Sequence, residues 1–320
     1  TGMSLAQPDA FIASHAILSN NSTYYVSTDS IYFAQAVILS QADTTTQTEL
    51  FRFHYADGQI EAEGQTTFPG TLLNQFAMDE YQGYLRVAAT VTAIADDASE
   101  DSSSNSLYII NDNLEVVSSI TDLAPDETIY SVRFMGDVGY FVTYRQTDPL
   151  FAVDLSDPLN PVITDTLKIP GFSNYLHAYS DHLLFGFGSE VDPDTGISQG
   201  LKLSMFDISD PENVTEENKY VIKDAYYLPF DYNYKAITID ADKNLIGFVC
   251  DEEYMVFRYD EEKGFENVLT YTMSDNNYWD GQEACRGVYA GGRFYIVDRE
   301  KVLMFDMEQD FALTDRLNWN

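Results

Sequence analysis

The chain has 320 residues, with 52 Asp or Glu against 17 Lys or Arg and a formal net charge of −35. Such an excess repels phosphate backbones and anionic lipid headgroups, which argues against nucleic acid and membrane surfaces as partners. An apolar share of 45% and an aromatic share of 14% are too high for a disordered acidic tail and require a folded core.

Thr1-Gly2-Met3 does not read as a native start, so a leader or an upstream domain is expected before it. The segment 1–21 stands apart from the rest of the chain, with FIASHAILS at 11–19 reading as an orphan outer strand. From residue 22 to 320 the chain is dense in alternating β-branched and aromatic residues broken by Gly, Asn, Asp and Pro turns, and no window shows a helical apolar stripe. No apolar run approaches the ~18 residues of a membrane span; AVIL at 36–39 has the size of a strand.

One element recurs, an apolar strand ending in an acidic turn. It reads LFRFHYADG at 50–58, LYIINDN at 107–113, LFAVDLSDP at 150–158, LSMFDISDP at 203–211, YMVFRYDEEKG at 254–264 and VLMFDMEQD at 302–310. The equivalent positions His54, Asn111, Asp154, Asp207, Arg258 and Asp306 are spaced by 43 to 57 residues. A hairpin precedes each copy, as in YSVRFMGD–VGYFVTYR at 130–145, and a further strand follows, as in VITDTLKIPG at 162–171. This period in an all-β chain predicts a single β-propeller domain of four-stranded antiparallel blades. Six units begin near Ser22, Leu72, Thr128, Phe172, Phe230 and Tyr278. The polar stretches at 41–47, 95–105 and 190–200 are hairpin loops, and Phe141, Tyr144, Phe151 and Phe185 are expected to fill the space between blades.

The stretches LLNQFAMDEYQGYLRVAAT (72–90), IYSVRFMGDVGYFVTYRQTDPLFAVDLSDPLNP (129–161), IPGFSNYLHAYSDHLLFGFG (169–188) and GLKLSMFDISDPENV (200–214) carry a family likeness. Through them the chain resembles secreted bacterial and archaeal proteins with a C-terminal β-propeller domain distantly related to WD40 repeats. Its SDP strands also resemble the LVIVD-type repeats of bacterial surface propellers. The resemblance implies an extracellular or cell-surface propeller with no catalytic motif to transfer, and members longer by roughly two blades at the N-terminus.

Motifs that mimic chemistry have structural readings. GISQG at 196–200 fits a nucleophile elbow around Ser198, but its flanks are a loop and a strand rather than strand, turn and helix. DADKN at 240–244 and DPDTG at 192–196 offer alternating oxygens of the kind calcium takes, without the downstream bidentate Glu, and Lys243 repels a cation. A structural calcium remains compatible with so acidic a chain. Ser156-Asp157-Pro158 and Ser209-Asp210-Pro211 read as strand stops. Cys250 and Cys285 lack CxxC spacing and either pair across adjacent strands or stay as buried thiols. His15, His54 and His182 have no paired ligands. No cofactor is expected.

Propeller function sits at the inner strands and the loops at their ends. Asn74, Gln75, Arg133, His177, Lys235 and Arg286 are placed on the innermost strands, where cationic and amide groups stand out against −35 and suit a polar or anionic ligand. Tyr226-Tyr227 and Tyr278-Trp279, at predicted blade edges, are candidate aromatic platforms for a glycan. The expected role is a ligand- or protein-binding or scaffold module at the bacterial cell surface, engaging a polar small ligand, a glycan or a protein. The alternatives are a hydrolase or lyase acting on a polysaccharide or peptide at the channel mouth, and a spacer within a longer secreted chain.

Overall fold

The computed structural model describes residues 2–4, 7–13, 22–37, 45–93, 102–144, 148–192, 194–225, 227, 233–273 and 285–319. The chain divides into two compact units, Thr1–Phe172 with Asp210–Val214, and Ser173–Ser209 with Thr215–Asn320. Six four-stranded antiparallel sheets make up the described β-structure after residue 21, the blades of a β-propeller.

In the first unit a hairpin of β1 (Gly2–Ser4) and β2 (Gln7–Ala13) precedes the blades, with Met3 paired to Phe11; residues 14–19 of the expected outer strand lie outside the described residues. Blade one is β3 (Ser22–Val26), β4 (Ser30–Val37), β5 (Gln47–Ala56) and β6 (Gln59–Pro69). Blade two is β7 (Met78–Tyr81), β8 (Tyr84–Thr92), β9 (Ser103–Ile110) and β10 (Val116–Leu123). Blade three is β11 (Thr128–Met135), β12 (Val138–Tyr144), β13 (Asp148–Asp154) and β14 (Val162–Ile169). The second unit holds the remaining blades. Blade four is β15 (Phe172–Ala178), β16 (Leu183–Val191), β17 (Ser198–Asp207) and β18 (Thr215–Lys223). Blade five is β19 (Thr238–Asp240), β20 (Leu245–Cys250), β21 (Glu253–Asp260) and β22 (Gly264–Thr272). Blade six is β23 (Arg286–Ala290), β24 (Arg293–Val297), β25 (Lys301–Asp306) and β26 (Ala312–Asn318).

The acidic turns explain the repeat. Between the third and fourth strands, the Oδ1 of Asn111, Asp154, Asp207 and Asp306 accepts from the backbone N–H of Asn113, Ser156, Ser209 and Glu308, at 2.8 to 3.0 Å. These are Asx turns, in which a short side chain replaces the backbone's own partner. Blade five moves the task two residues on, where Asp260 accepts from Glu262 N and Lys263 N at 3.0 Å. A part of the negative charge therefore sits where a carboxylate is the turn's structural acceptor.

Within each unit, strand alternation sends one face of a blade against its neighbour. Phe141 and Phe151 pack between blades two and three, and Phe185 joins Phe187, Phe248 and Phe257 between blades four and five. Tyr144 packs instead on Phe172 at 4.5 Å between ring centroids. Each fully buried aromatic of this kind contributes about 1.5–3 kcal/mol. Cys250 and Cys285 are free and buried in two different apolar clusters, Cys250 with Phe248 and Cys285 with Phe294.

Blade four carries a charged face. Lys202, 1% exposed, lies 3.5 Å from Glu216 and 3.9 Å from Glu190; Lys219 reaches Glu190 at 2.8 Å and Ser204 donates to Glu216 at 2.6 Å. Gly186, opposite Ser204, makes room for Ser173 and Phe206, which a Cβ there would meet at 2.7 and 2.8 Å.

Candidate functional site

Three of the residues assigned to inner strands lie just ahead of them. Gln75–Ala77 and Tyr234–Ala236 form single 3-10 turns before β7 and β19. Asn74 Oδ1 accepts from Phe76 N at 2.9 Å, and Asn233 Oδ1 accepts from Lys235 N at 3.2 Å. The capping amide competes with the strand ladder for the backbone, so Asn74, Gln75 and Lys235 enter the turn rather than the strand.

The first unit brings Asn74, Gln75 and Arg133 into one neighbourhood, with the Arg133 guanidinium 4.2 Å from the centre of the Phe76 ring. In the second unit, His177 Nδ1 shares a 2.9 Å hydrogen bond with the Tyr175 hydroxyl. Lys235 Nζ sits 5.7 Å from the Tyr234 ring, and Arg286 Nη1 donates to the Cys285 carbonyl at 2.7 Å. Each of these three has a local partner.

The other motifs resolve locally. Ser198 is exposed and begins a strand opposite Val191, with no helix behind it. Asp192 accepts from Asp194 N, Thr195 N and Thr195 Oγ1 at 2.9 to 3.1 Å, and these bonds, led by Thr195 N–H, lower its carboxyl pKa. His182 lies 3.5 Å from Glu261, both exposed. Tyr227 N donates to Asp251 Oδ1 at 3.2 Å. His15, Tyr226, Phe230, Tyr278 and Trp279 lie outside the described residues. No group of three or more His, Cys, Asp or Glu among the described residues is placed to hold a metal ion. No described helix is long and apolar enough to cross a membrane.

A concavity among the described residues lies elsewhere, between the inner strands of blades five and six. It is an open groove of about 500 Å³, walled by Thr238, Asp240 and Asp242 on one side and by Val288 and Tyr289 on the other. Leu245 and Phe294, both buried, help to line it. None of the six residues singled out from the sequence lines it.

Two features bring its walls together. Thr238 Oγ1 donates to the Gly287 carbonyl at 2.8 Å, tying β19 to β23. Gly287 is required there, because a Cβ would overlap the Tyr254 hydroxyl and meet Phe294 Cζ at 2.6 Å. Burial raises the Tyr254 hydroxyl pKa well above its ordinary 10.0, so it stays neutral beneath the groove.

The polar rim is set by the 3-10 turn Ala241–Lys243. Asp240 Oδ1 caps it by accepting from Lys243 N at 3.1 Å, and Asn244 closes it in the left-handed region at φ 54°. The DADKN segment is therefore a capped turn on the groove edge. Its lysine crosses to the other wall, with Nζ 5.3 Å from the centre of the Tyr289 ring. Sequence reasoning weighs Asp240 and Asp242 as calcium ligands or, more simply, as part of a hairpin turn, and misses Tyr289. The groove joins strands about 50 residues apart in sequence, and no local pattern in either one announces it.

The fold and groove define a β-propeller with a concave site between neighbouring blades. The chain belongs to the Beta propeller domain family, which it matches over residues 1–309. It is 39% identical over 248 residues to an Uncharacterized protein of Archaeoglobus fulgidus, covering 78% of this chain and 36% of that protein. It is 40% identical over 232 residues to Uncharacterized protein MJ1554 of Methanocaldococcus jannaschii, covering 66% of this chain and 36% of that one. The chain thus spans about a third of the length of these relatives. A chain in the solved complex of KlAtg21 with the coiled-coil of AgAtg16 aligns over 92% of this protein and 84% of its own length, at 9% identity and a TM-score of 0.49, and carries no functional weight.

Proposed function

We propose that this propeller is a binding module acting at the cell surface, and that it holds a polar small ligand in the groove between β19 and β23. The observation that carries this reading is the groove itself. It combines an apolar base, an aromatic wall at Tyr289 and two carboxylates at Asp240 and Asp242. Apolar surface with a few convergent polar groups is the usual make-up of a small-molecule site. The groove is also built on packed inner strands, which pre-organise its polar groups. The surface location rests on the likeness to secreted propellers and on the acidic composition. No specific observation favours a hydrolase or lyase.

A thermal-shift screen of polar metabolites and glycans tests the binding role. A ligand present at a hundredfold excess over its Kd stabilises the fold by about 2.7 kcal/mol, enough to raise Tm visibly. Such a shift should vanish in both Tyr289→Ala and Asp242→Ala. Shifts that survive both variants, or a screen with no shift, would overturn the groove assignment. Protease treatment of intact cells tests location: cleavage of the propeller before lysis is expected, and full protection would contradict a surface site.

A further inference from the structure

We infer that the groove takes a primary alkylammonium ligand, and that Lys243 competes with it for the Tyr289 ring. The inference rests on the groove reading above and names its ligand class.

Lys243 leaves an exposed turn, yet its ammonium lies against the Tyr289 ring on the opposite wall, 5.3 Å from the ring centre. A cation over an aromatic face is worth about 0.5–1 kcal/mol at an exposed site and about 2 where water is excluded. The chain's own side chain thus marks where a positive charge is favourable. Asp240 caps the same turn and Asp242 lies within it; both line the groove, whereas Lys243 touches it only through the Tyr289 ring. Both walls favour a cation, with carboxylates on one and a π face on the other.

The base selects the rest of the ligand. Ile239, Ala241, Leu245, Val288 and Phe294 offer apolar contact, and Val288 is 46% exposed, so apolar surface is open to be covered. An ammonium head at Tyr289 with its alkyl chain along this base satisfies both halves of the lining. A carboxylate or phosphate ligand would face Asp240 and Asp242 and be repelled. The field of a −35 chain also concentrates cations at its surface, which speeds encounter without conferring specificity.

A tethered Lys243 competes with such a ligand, and this gives the inference its signature. Removing the competitor should tighten binding, which is the reverse of what loss of a contact residue does.

The test is calorimetric titration of the whole chain with butylammonium chloride at fixed ionic strength, alongside 1-butanol and sodium butyrate. Butylammonium should bind and butyrate should not. Lys243→Ala should tighten butylammonium binding by about threefold or more, and Tyr289→Leu should weaken it by about three- to tenfold, the span of one cation–π contact. Tyr289→Phe keeps the ring and should restore affinity, which separates loss of the contact from loss of the fold. Equal affinities in wild type, Lys243→Ala and Tyr289→Leu would mean simple counterion attraction and overturn the inference. Butanol binding as well as butylammonium, with the same dependence on Tyr289, would keep the groove as a binding site and reject the ammonium class. If no probe binds, the ammonium class fails, while the screen with polar metabolites and glycans still decides the groove.

Discussion

The Lys202 ammonium lies 3.5 Å from a Glu216 carboxylate oxygen, on a lysine side chain that is only 1% exposed. A charge so enclosed is tolerated because Glu190 and Glu216 face it, and Ser204 donates to the same Glu216 oxygen. Removing the Lys202 cation alone leaves the largely buried Glu216 carboxylate without a counter-charge and Glu190 held only by the exposed Lys219. Lys202→Met should therefore cost about 3 kcal/mol or more in urea unfolding, whereas adding Glu190→Gln and Glu216→Gln should recover most of that loss. An unchanged urea midpoint in Lys202→Met would show that water reaches this cluster.

Gly287 and Tyr254 set the closeness of blades five and six. A methyl group at Gly287 would drive into the Tyr254 hydroxyl, so Gly287→Ala should destabilise by about 1–3 kcal/mol through overpacking. Deleting that oxygen relieves part of the overlap, so Gly287→Ala with Tyr254→Phe should be more stable than the sum of the two single changes. Additive effects in the double-variant cycle would argue against the contact.

Asp207 shows the pH behaviour of the turn caps. Its bonds with Ser209, through the hydroxyl first and the backbone N–H second, lower its carboxyl pKa from the ordinary 3.8. A carboxyl depressed on folding stabilises the fold above its unfolded pKa, and that contribution is lost as pH falls through the folded value. Asp207→Ala should cost about 1 kcal/mol at pH 7, one net hydrogen bond. Asp207→Asn keeps the acceptor, as Asn111 does in blade two, and should match wild type at pH 7 and lose less than wild type between pH 5 and pH 2. Melting curves at both ends of that range decide it; parallel losses for Asp and Asn would contradict the cap.

Burial raises both cysteine thiols from 9.0 to about 12, ahead of smaller effects from neighbouring charges. Neither thiolate is populated at neutral pH, and both cysteines are buried. An aromatic disulfide reagent at pH 8 should leave both unmodified in the native protein and label both after unfolding in urea. Rapid labelling of the folded chain would place at least one thiol at the surface.

The blades are legible in the sequence because most of them repeat one physical device, an apolar strand stopped by a side chain that accepts the turn's own N–H. Asn111, Asp154, Asp207 and Asp306 carry that signal at one position, and the −35 charge is in part its by-product. The inner-strand residues are harder to place. Asn74 and Asn233 each stand three residues before an Ala, and this shared Asn-x-x-Ala spacing is the available sign of a capped turn. The groove is not legible, because Thr238 meets Gly287 across two blades and Tyr289 owes its role to that register. Spacing along a strand reports which face a side chain takes, but not what stands opposite in the next blade.

The central claim, a ligand site between β19 and β23, is tested most directly by methyl NMR of the whole chain on addition of butylammonium chloride. The account predicts saturable shifts of the Ile239, Leu245 and Val288 methyls, with Leu155 and Val214 beside the acidic turns of blades three and four unmoved. Shifts spread over the acidic turns that never saturate, with the groove methyls silent, would contradict it.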